Sequence, residues 1–224
     1  MINESVENIE KKKFWFSLIF PVAFLLSLWL VWFVEITLDL DFSTFGIFPR
    51  KLSGLKGIIF SPFVHADIKH LFNNSIPLLV LTSAIFYFYS NLAFRIFFLT
   101  WIMVGIWVWF GGREAYHIGA SGLIYGFAAF LFISGIIRNY IPLMAISMLV
   151  VFVYGSMIWG IFPIEPQISY ESHMLGAIAG LVLAFHYRKY GPQRPKYRWE
   201  DEEMEEENGE DMKERNGEDA KDEG

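Results

Sequence analysis

Apolar residues gather along this chain in runs long enough to cross a bilayer, at about 14–34, 70–90, 93–110, 119–137, 141–160 and 171–187. A hydrocarbon core of ~30 Å takes roughly 17 to 25 helical residues, so each run predicts one crossing. Six crossings return both termini to one side. Lys11, Lys12, Lys13, Arg95, Arg138, Arg188, Lys189, Arg194, Lys196 and Arg198 all fall on that side, which assigns it to the cytoplasm. No run carries an Asp, Glu, Lys or Arg at its centre, which counts against a proton or ion pump. The pattern predicts an all-α, multi-pass integral membrane protein with both termini cytoplasmic. Residues 1–13 form a cytoplasmic segment, 14–190 a six-helix membrane domain and 191–224 a cytoplasmic tail.

Three stretches lie on the outer face: a long first loop at about 35–69, a short loop at 111–118, and a proline-containing turn at 163–167. The first loop interleaves Phe42, Phe45, Ile47, Phe48, Leu52, Leu55, Ile58, Ile59 and Phe60 with Arg50, Lys51 and Lys56. Such a segment lies in the interface, and a lipid-anchored connector is a simpler reading than a binding surface. Lys11 to Lys13 precede an apolar run without an A-x-A-like cleavage site, which reads as a retained first helix.

Composition changes this picture at one end. The 224 residues are 54% hydrophobic and carry a formal charge of -6, but that charge is unevenly spread. From Glu200 onward there are 14 acidic and 3 basic residues; the totals of 24 and 18 leave 10 acidic against 15 basic in the rest. The body is therefore mildly basic, and the acidic tail reads as solvated and disordered. The absence of cysteine excludes disulfides, thiol catalysis and thiolate metal sites. No HExxH motif or helix-face ligand pair supports a metal site among His65, His70, His117 and His173. Neither phosphate-binding glycine loops nor nucleic-acid signatures occur, so no metal, cofactor or nucleic-acid partner is expected.

The unusual polar residues converge at one level. The second, fourth and sixth runs all begin on the outer face, at His70 to Asn74, at Ser121, and at Glu171-Ser172-His173. Gly122 and Gly126 are four apart on the fourth run, as are Gly176 and Gly180 on the sixth, and small-xxx-small faces let helix backbones approach closely. Ser121 precedes one such face and His173 stands three residues before the other, so hydroxyl and imidazole can come within hydrogen-bond reach. A serine hydroxyl is a weak nucleophile until a base takes its proton, a task that suits histidine. No acidic residue within the helices is placed to orient that imidazole.

Tyr125 lies one turn below Ser121, where its ring either supports the imidazole or fills the bundle core. His70 and Asn74 are one turn apart and could supply donors to a developing oxyanion with the Ser121 backbone N–H, or make a polar helix-packing contact. His65 lies off that face and reads as loop structure; His117 and His186 have no identifiable partner. A fourth helix of ~17 residues spans ~25 Å, so the serine sits below the outer surface, reached by non-helical chain. Irregular backbone at that depth must be buried in protein or line a water-filled cavity, which hydrolysis requires.

These residues together resemble the rhomboid intramembrane serine proteases in their minimal six-helix form. The matching stretches are Gly119-Ala120-Ser121-Gly122 with Tyr125, the run from His65 to Asn74, and His173-Met174-Leu175-Gly176 continuing to Gly180. The resemblance implies Ser121 as nucleophile, His173 as general base, and His70, Asn74 and the Ser121 N–H as the oxyanion hole. It also implies Tyr125 packing on His173, with Gly119, Gly122 and Gly176 in support. Substrates would be transmembrane segments of other proteins, entering past the fifth helix and a cap at 163–169. Many members carry a Trp-Arg pair in the first loop, where this chain has Pro49-Arg50. The alternatives are an inactive relative that binds client helices, which commonly lacks the serine or histidine, and a small-molecule transporter, to which the serine adds nothing.

Overall fold

The computed structural model describes residues 2–153, 159–164 and 168–192, and no strand occurs among them. Among the described residues, seven α-helices follow in order: α1 (Ile2–Thr37), α2 (Gly57–Phe60), α3 (Ile68–Phe88), α4 (Ala93–Gly111), α5 (Ser121–Arg138), α6 (Ile141–Val153) and α7 (Tyr170–His186). Residues 7–37 of α1, together with α3, α4 and α5, are long and apolar enough to cross a membrane by length and composition. α6 is a shorter apolar helix, and the expected run 141–160 continues over 154–158, outside the described residues. The acidic tail falls almost wholly on residues 193–224, which lie outside them too. α1 begins well before its apolar run, where Lys11 pairs with Glu7 one turn earlier at 2.6 Å.

α5 is the central helix, packed against α3, α4, α6 and α7. Its contact with α7 is backbone to backbone. A Cβ added at Gly176 would collide with the Gly122 carbonyl, and one at Gly180 with the Gly126 carbonyl. In lipid there is no hydrophobic drive between helices, so van der Waals contact made possible by small residues is what holds such a pair together. The C-terminal end of the pair is closed differently. Arg138, the last residue of α5, is buried and donates to the carbonyls of Ser134, Tyr187 and Tyr190, satisfying groups that the end of α7 leaves open. Asn139 follows at φ 50° and ends α5 with a left-handed cap.

On the opposite flank of α5, aromatic rings fill the space between α1, α3 and α4. Phe97 of α4 meets Phe20 and Phe24 of α1 at 4.9 and 5.1 Å and stacks on Phe127 of α5 at 5.5 Å. Trp29 of α1 donates to Ser75 Oγ of α3 at 3.1 Å. The first loop is folded onto this bundle: Trp101 Nε1 donates to the Ile58 carbonyl at 2.8 Å, while Leu52 stays 83% exposed. Pro49-Arg50 does anchor the loop. Arg50 adopts φ 59°, its N–H donates to the Trp109 carbonyl at 3.0 Å, and its guanidinium donates to the Gly112 carbonyl at 2.8 Å. Trp109 returns a hydrogen bond to the Lys51 carbonyl at 3.0 Å.

Replacing Gly180 with Val should wedge α5 from α7 and lower the unfolding midpoint in detergent, at an overpacking cost of about 1–3 kcal/mol. A Cβ at Gly111 meets nothing within 4 Å, so Gly111→Ala should leave that midpoint nearly unchanged. Equal midpoints for the two variants would contradict the backbone contact.

Candidate active site

Ser121 is the first residue of α5, so its own N–H is among the orphan donors that no helical carbonyl can accept. The chain reaches it through Gly119, whose φ of 96° is left-handed backbone that suits glycine. A Cβ there would also stand 2.7 Å from the His70 ring and 3.4 Å from Asn74 Nδ2. Glycine at 119 is thus what allows the serine-bearing turn and the N-terminal end of α3 to touch. The Gly119 N–H donates to the Ser61 carbonyl at 2.8 Å and fixes the turn from behind.

His173 sits in the first turn of α7 and is buried. Its Nε2 is 2.7 Å from Ser121 Oγ, and its Nδ1 is 2.8 Å from the Gly160 carbonyl. A carbonyl can only accept, so Nδ1 carries the proton and Nε2 turns its lone pair on the serine hydroxyl. This is the tautomer that can take the hydroxyl proton. A backbone carbonyl from the segment between α6 and α7 does the orienting for which no side-chain carboxylate is available. Tyr125 stacks on the imidazole with ring centres 4.2 Å apart and planes at 12°.

Asp67 caps α3 by accepting the His70 backbone N–H at 2.8 Å, which sets the register of His70 and Asn74 one turn later. Asn74 is buried and its Nδ2 makes no hydrogen bond among the described residues, an unused donor beside the serine-bearing turn. Pro77 lies in the same helix and has no N–H to give to the Asn73 carbonyl. His70, Asn74, Ser121, Tyr125, Gly160 and His173 line one cavity of about 570 Å³. Its wall also includes Asp67, Lys69, Asn73 and Arg113, so the cavity has the polar lining that water and extended peptide need.

All eight residues singled out from the sequence therefore meet in one region: Ser121 with His173, Tyr125 on His173, His70 and Asn74 against Gly119, and Gly122 against Gly176. Several neighbours were not foreseen. His65 is loop, as expected, but it is buried and its ring lies 5.0 Å from that of His70. His117 has partners after all: its Nδ1 is 2.5 Å from Ser169 Oγ and its Nε2 is 3.1 Å from the Arg113 carbonyl. Arg113 also donates its backbone N–H to Glu171 Oε1 at 3.2 Å and its Nη2 to the Ile168 carbonyl at 2.8 Å. Nothing in the sequence pattern signals Gly160, whose contribution is a carbonyl. His186 meets only the edge of the Tyr187 ring among these contacts, at 4.7 Å.

The fold and the site define a helical membrane protein in which a serine and an oriented histidine face a common cavity. The Rhomboid domain model matches residues 53–190, more than half of the sequence, and the chain belongs to the rhomboid family. Uncharacterized proteins of Mycobacterium bovis and Mycobacterium tuberculosis are each 39% identical to it over 154 residues, 62% of this chain. The chain spans 62% of the length of those relatives. An uncharacterized protein of Mycobacterium leprae is 33% identical over 181 residues, covering 73% of this chain and 68% of the relative. The matched region includes all of α3 to α7 and leaves out α1.

His65, in the loop before α3, supplies a pH dependence. Burial, reinforced by neighbouring His70, pulls its imidazole from the ordinary 6.5 down to about 3. The unfolded chain then binds the proton more readily than the folded one, so this contribution is fully present above pH 6.5 and is lost as pH falls from 6.5 toward 3. The melting temperature should drop on acidification across that window, and His65→Leu should flatten the drop. An unchanged slope in that variant would remove His65 as the cause.

Proposed function

We propose that this protein is an intramembrane serine endopeptidase that cleaves transmembrane segments of other membrane proteins near the outer face. The observation that carries the proposal is the 2.7 Å approach of Ser121 Oγ to His173 Nε2, with Nδ1 turned to a carbonyl acceptor. His173 takes the hydroxyl proton as Ser121 Oγ bonds to the scissile carbonyl carbon. The oxyanion that forms is met by the Ser121 N–H, Asn74 Nδ2 and His70. As the C–N bond breaks, His173 gives its proton to the departing amine and leaves an acyl-enzyme. A water from the cavity, deprotonated by the same imidazole, then attacks the ester; the acid product leaves and the proton returns to Ser121.

Six membrane crossings, with both termini on the cytoplasmic side of a bacterial inner membrane, belong to this proposal. The 18 residues of α5 span ~27 Å, less than the hydrocarbon core, which puts Ser121 beneath the headgroups. The irregular turn at 112–120 is covered by the first loop, through a two-way backbone bridge between Ile47 and His117 at 2.8 and 2.9 Å. That cover supports burial of non-helical chain at depth. Entry past α6 and the 163–169 cap is part of the same reading, although residues 165–167 lie outside the described ones.

A purified, detergent-solubilised preparation should cleave a transmembrane reporter, and Ser121→Ala should abolish cleavage. Cleavage that survives the substitution would refute the proposal, and well-folded protein that neither cleaves nor reacts with a fluorophosphonate would favour an inactive helix-binding relative. Asn74→Ala should lower kcat by about 10²–10³-fold with little change in KM, the effect of losing one oxyanion donor.

A further inference from the structure

Outside the dyad, a second set of hydrogen bonds joins the serine-bearing loop to the histidine-bearing helix. His117 precedes Ser121 by four residues, and its backbone is pinned to Ile47 by the two-way bridge. Its ring is buried and bonded at both nitrogens. Because the Arg113 carbonyl can only accept, Nε2 carries the proton and Nδ1 must accept the hydroxyl proton of Ser169. Ser169 Oγ in turn accepts from the Ser172 N–H at 3.3 Å, as the N-cap of α7, and lies 2.7 Å from Ser172 Oγ. With its own proton given to His117, Ser169 takes that of Ser172. The chain of donors runs in one direction, from Ser172 through Ser169 to His117.

We infer that His117, acting through Ser169 and Ser172, is a positioning residue for the Ser121–His173 pair, an inference that rests on the protease proposal above. His173 is the residue after Ser172, so two of the contacts that hold the first turn of α7 bear directly on the dyad. One is the proposed catalytic contact itself; the other is this hydroxyl chain, which does not pass through a reacting atom. Without the second, the turn would be held to the serine-bearing segment by Arg113, on Glu171 and Tyr170, and by the dyad contact that catalysis must break and remake. His117 is faced by Arg113 from its own loop and by Glu171 and the two serines from α7 and its cap. A ring held neutral by burial fits that surrounding, because the Ser169 proton needs a lone pair.

The test uses the full chain in detergent, with a fluorophosphonate probe that reads Ser121 reactivity and amide hydrogen exchange that reads the α7 turn. His117→Phe removes the acceptor and leaves the Ser169 cap on Ser172 in place. It should slow labelling about 10-fold, a loss of the size that ångström-scale misplacement produces, lower kcat without raising KM, and speed exchange at the first-turn amides of α7. Ser169→Thr keeps both hydroxyl and cap and should label at the wild-type rate. Where His117→Phe does not fold, Ser172→Ala cuts the chain at its other end and should show the same slowing. If folded His117→Phe and Ser172→Ala match the wild type in both labelling and exchange, the positioning role is overturned while the protease proposal stands. If the wild type itself never labels but the exchange difference appears, the protease proposal fails and the hydroxyl chain remains a fastening of α7 alone.

Discussion

The backbone contact between α5 and α7 is the constraint on which the rest depends. Helices at ordinary separation are 8–10 Å apart, with side chains between them. Here Gly122, Gly126, Gly176 and Gly180 leave no side chain at the crossing, and the carbonyls of one helix stand against the α-carbons of the other. Only at that separation can the short Ser121 side chain reach an imidazole on the neighbouring helix in a single 2.7 Å hydrogen bond. A methyl group added at the crossing would act on the dyad without touching it. The glycines are thus both the packing surface and the ruler of the site.

Around that contact, each polar group is held by a backbone atom more often than by another side chain. Gly160 orients His173, Ser61 holds Gly119, and the Tyr187 and Tyr190 carbonyls receive Arg138. In a low-dielectric interior a carboxylate orienting the imidazole would itself need compensation, whereas a carbonyl is neutral and already present in the chain. Among the described residues, the buried carboxylate near the site is Glu171, and it points instead to Arg113. The dyad and its orienting group are therefore neutral donors and acceptors, and the Arg113–Glu171 ion pair lies between the 112–120 loop and the first turn of α7.

This also explains what could be read from the sequence. Helix positions followed from unbroken apolar runs, and α3, α4, α5 and α7 begin within two residues of the expected starts. The Ser121–His173 pairing followed from two glycine periodicities, since spacing of four is visible in a string of letters. Gly160 could not be found that way, because every residue has a carbonyl and only the fold chooses which one faces His173. His117 escaped for a related reason: its partners Ser169 and Arg113 are ordinary loop residues until the first loop pins the 112–120 turn against the α7 cap. His65 was placed correctly as loop, but the tight turn at Ser61–Phe63 and the extended Val64 lead into it, and its ring lies against His70.

The same division separates contacts made by the absence of a side chain from contacts made by the direction of a proton. Glycine at 119 and the glycine pairs act through the absence of a side chain, so their effect is fixed by backbone geometry wherever the helices cross. The His117–Ser169–Ser172 chain acts through the direction of its protons, and that direction is set by one carbonyl, that of Arg113, which obliges Nε2 to donate. Moving that proton to Nδ1 would turn every donor in the chain around and leave Nε2 and the Arg113 carbonyl facing each other with no proton between them. A site whose main contacts are steric can therefore still carry one element that depends on protonation, and it lies where the 112–120 loop lines the cavity.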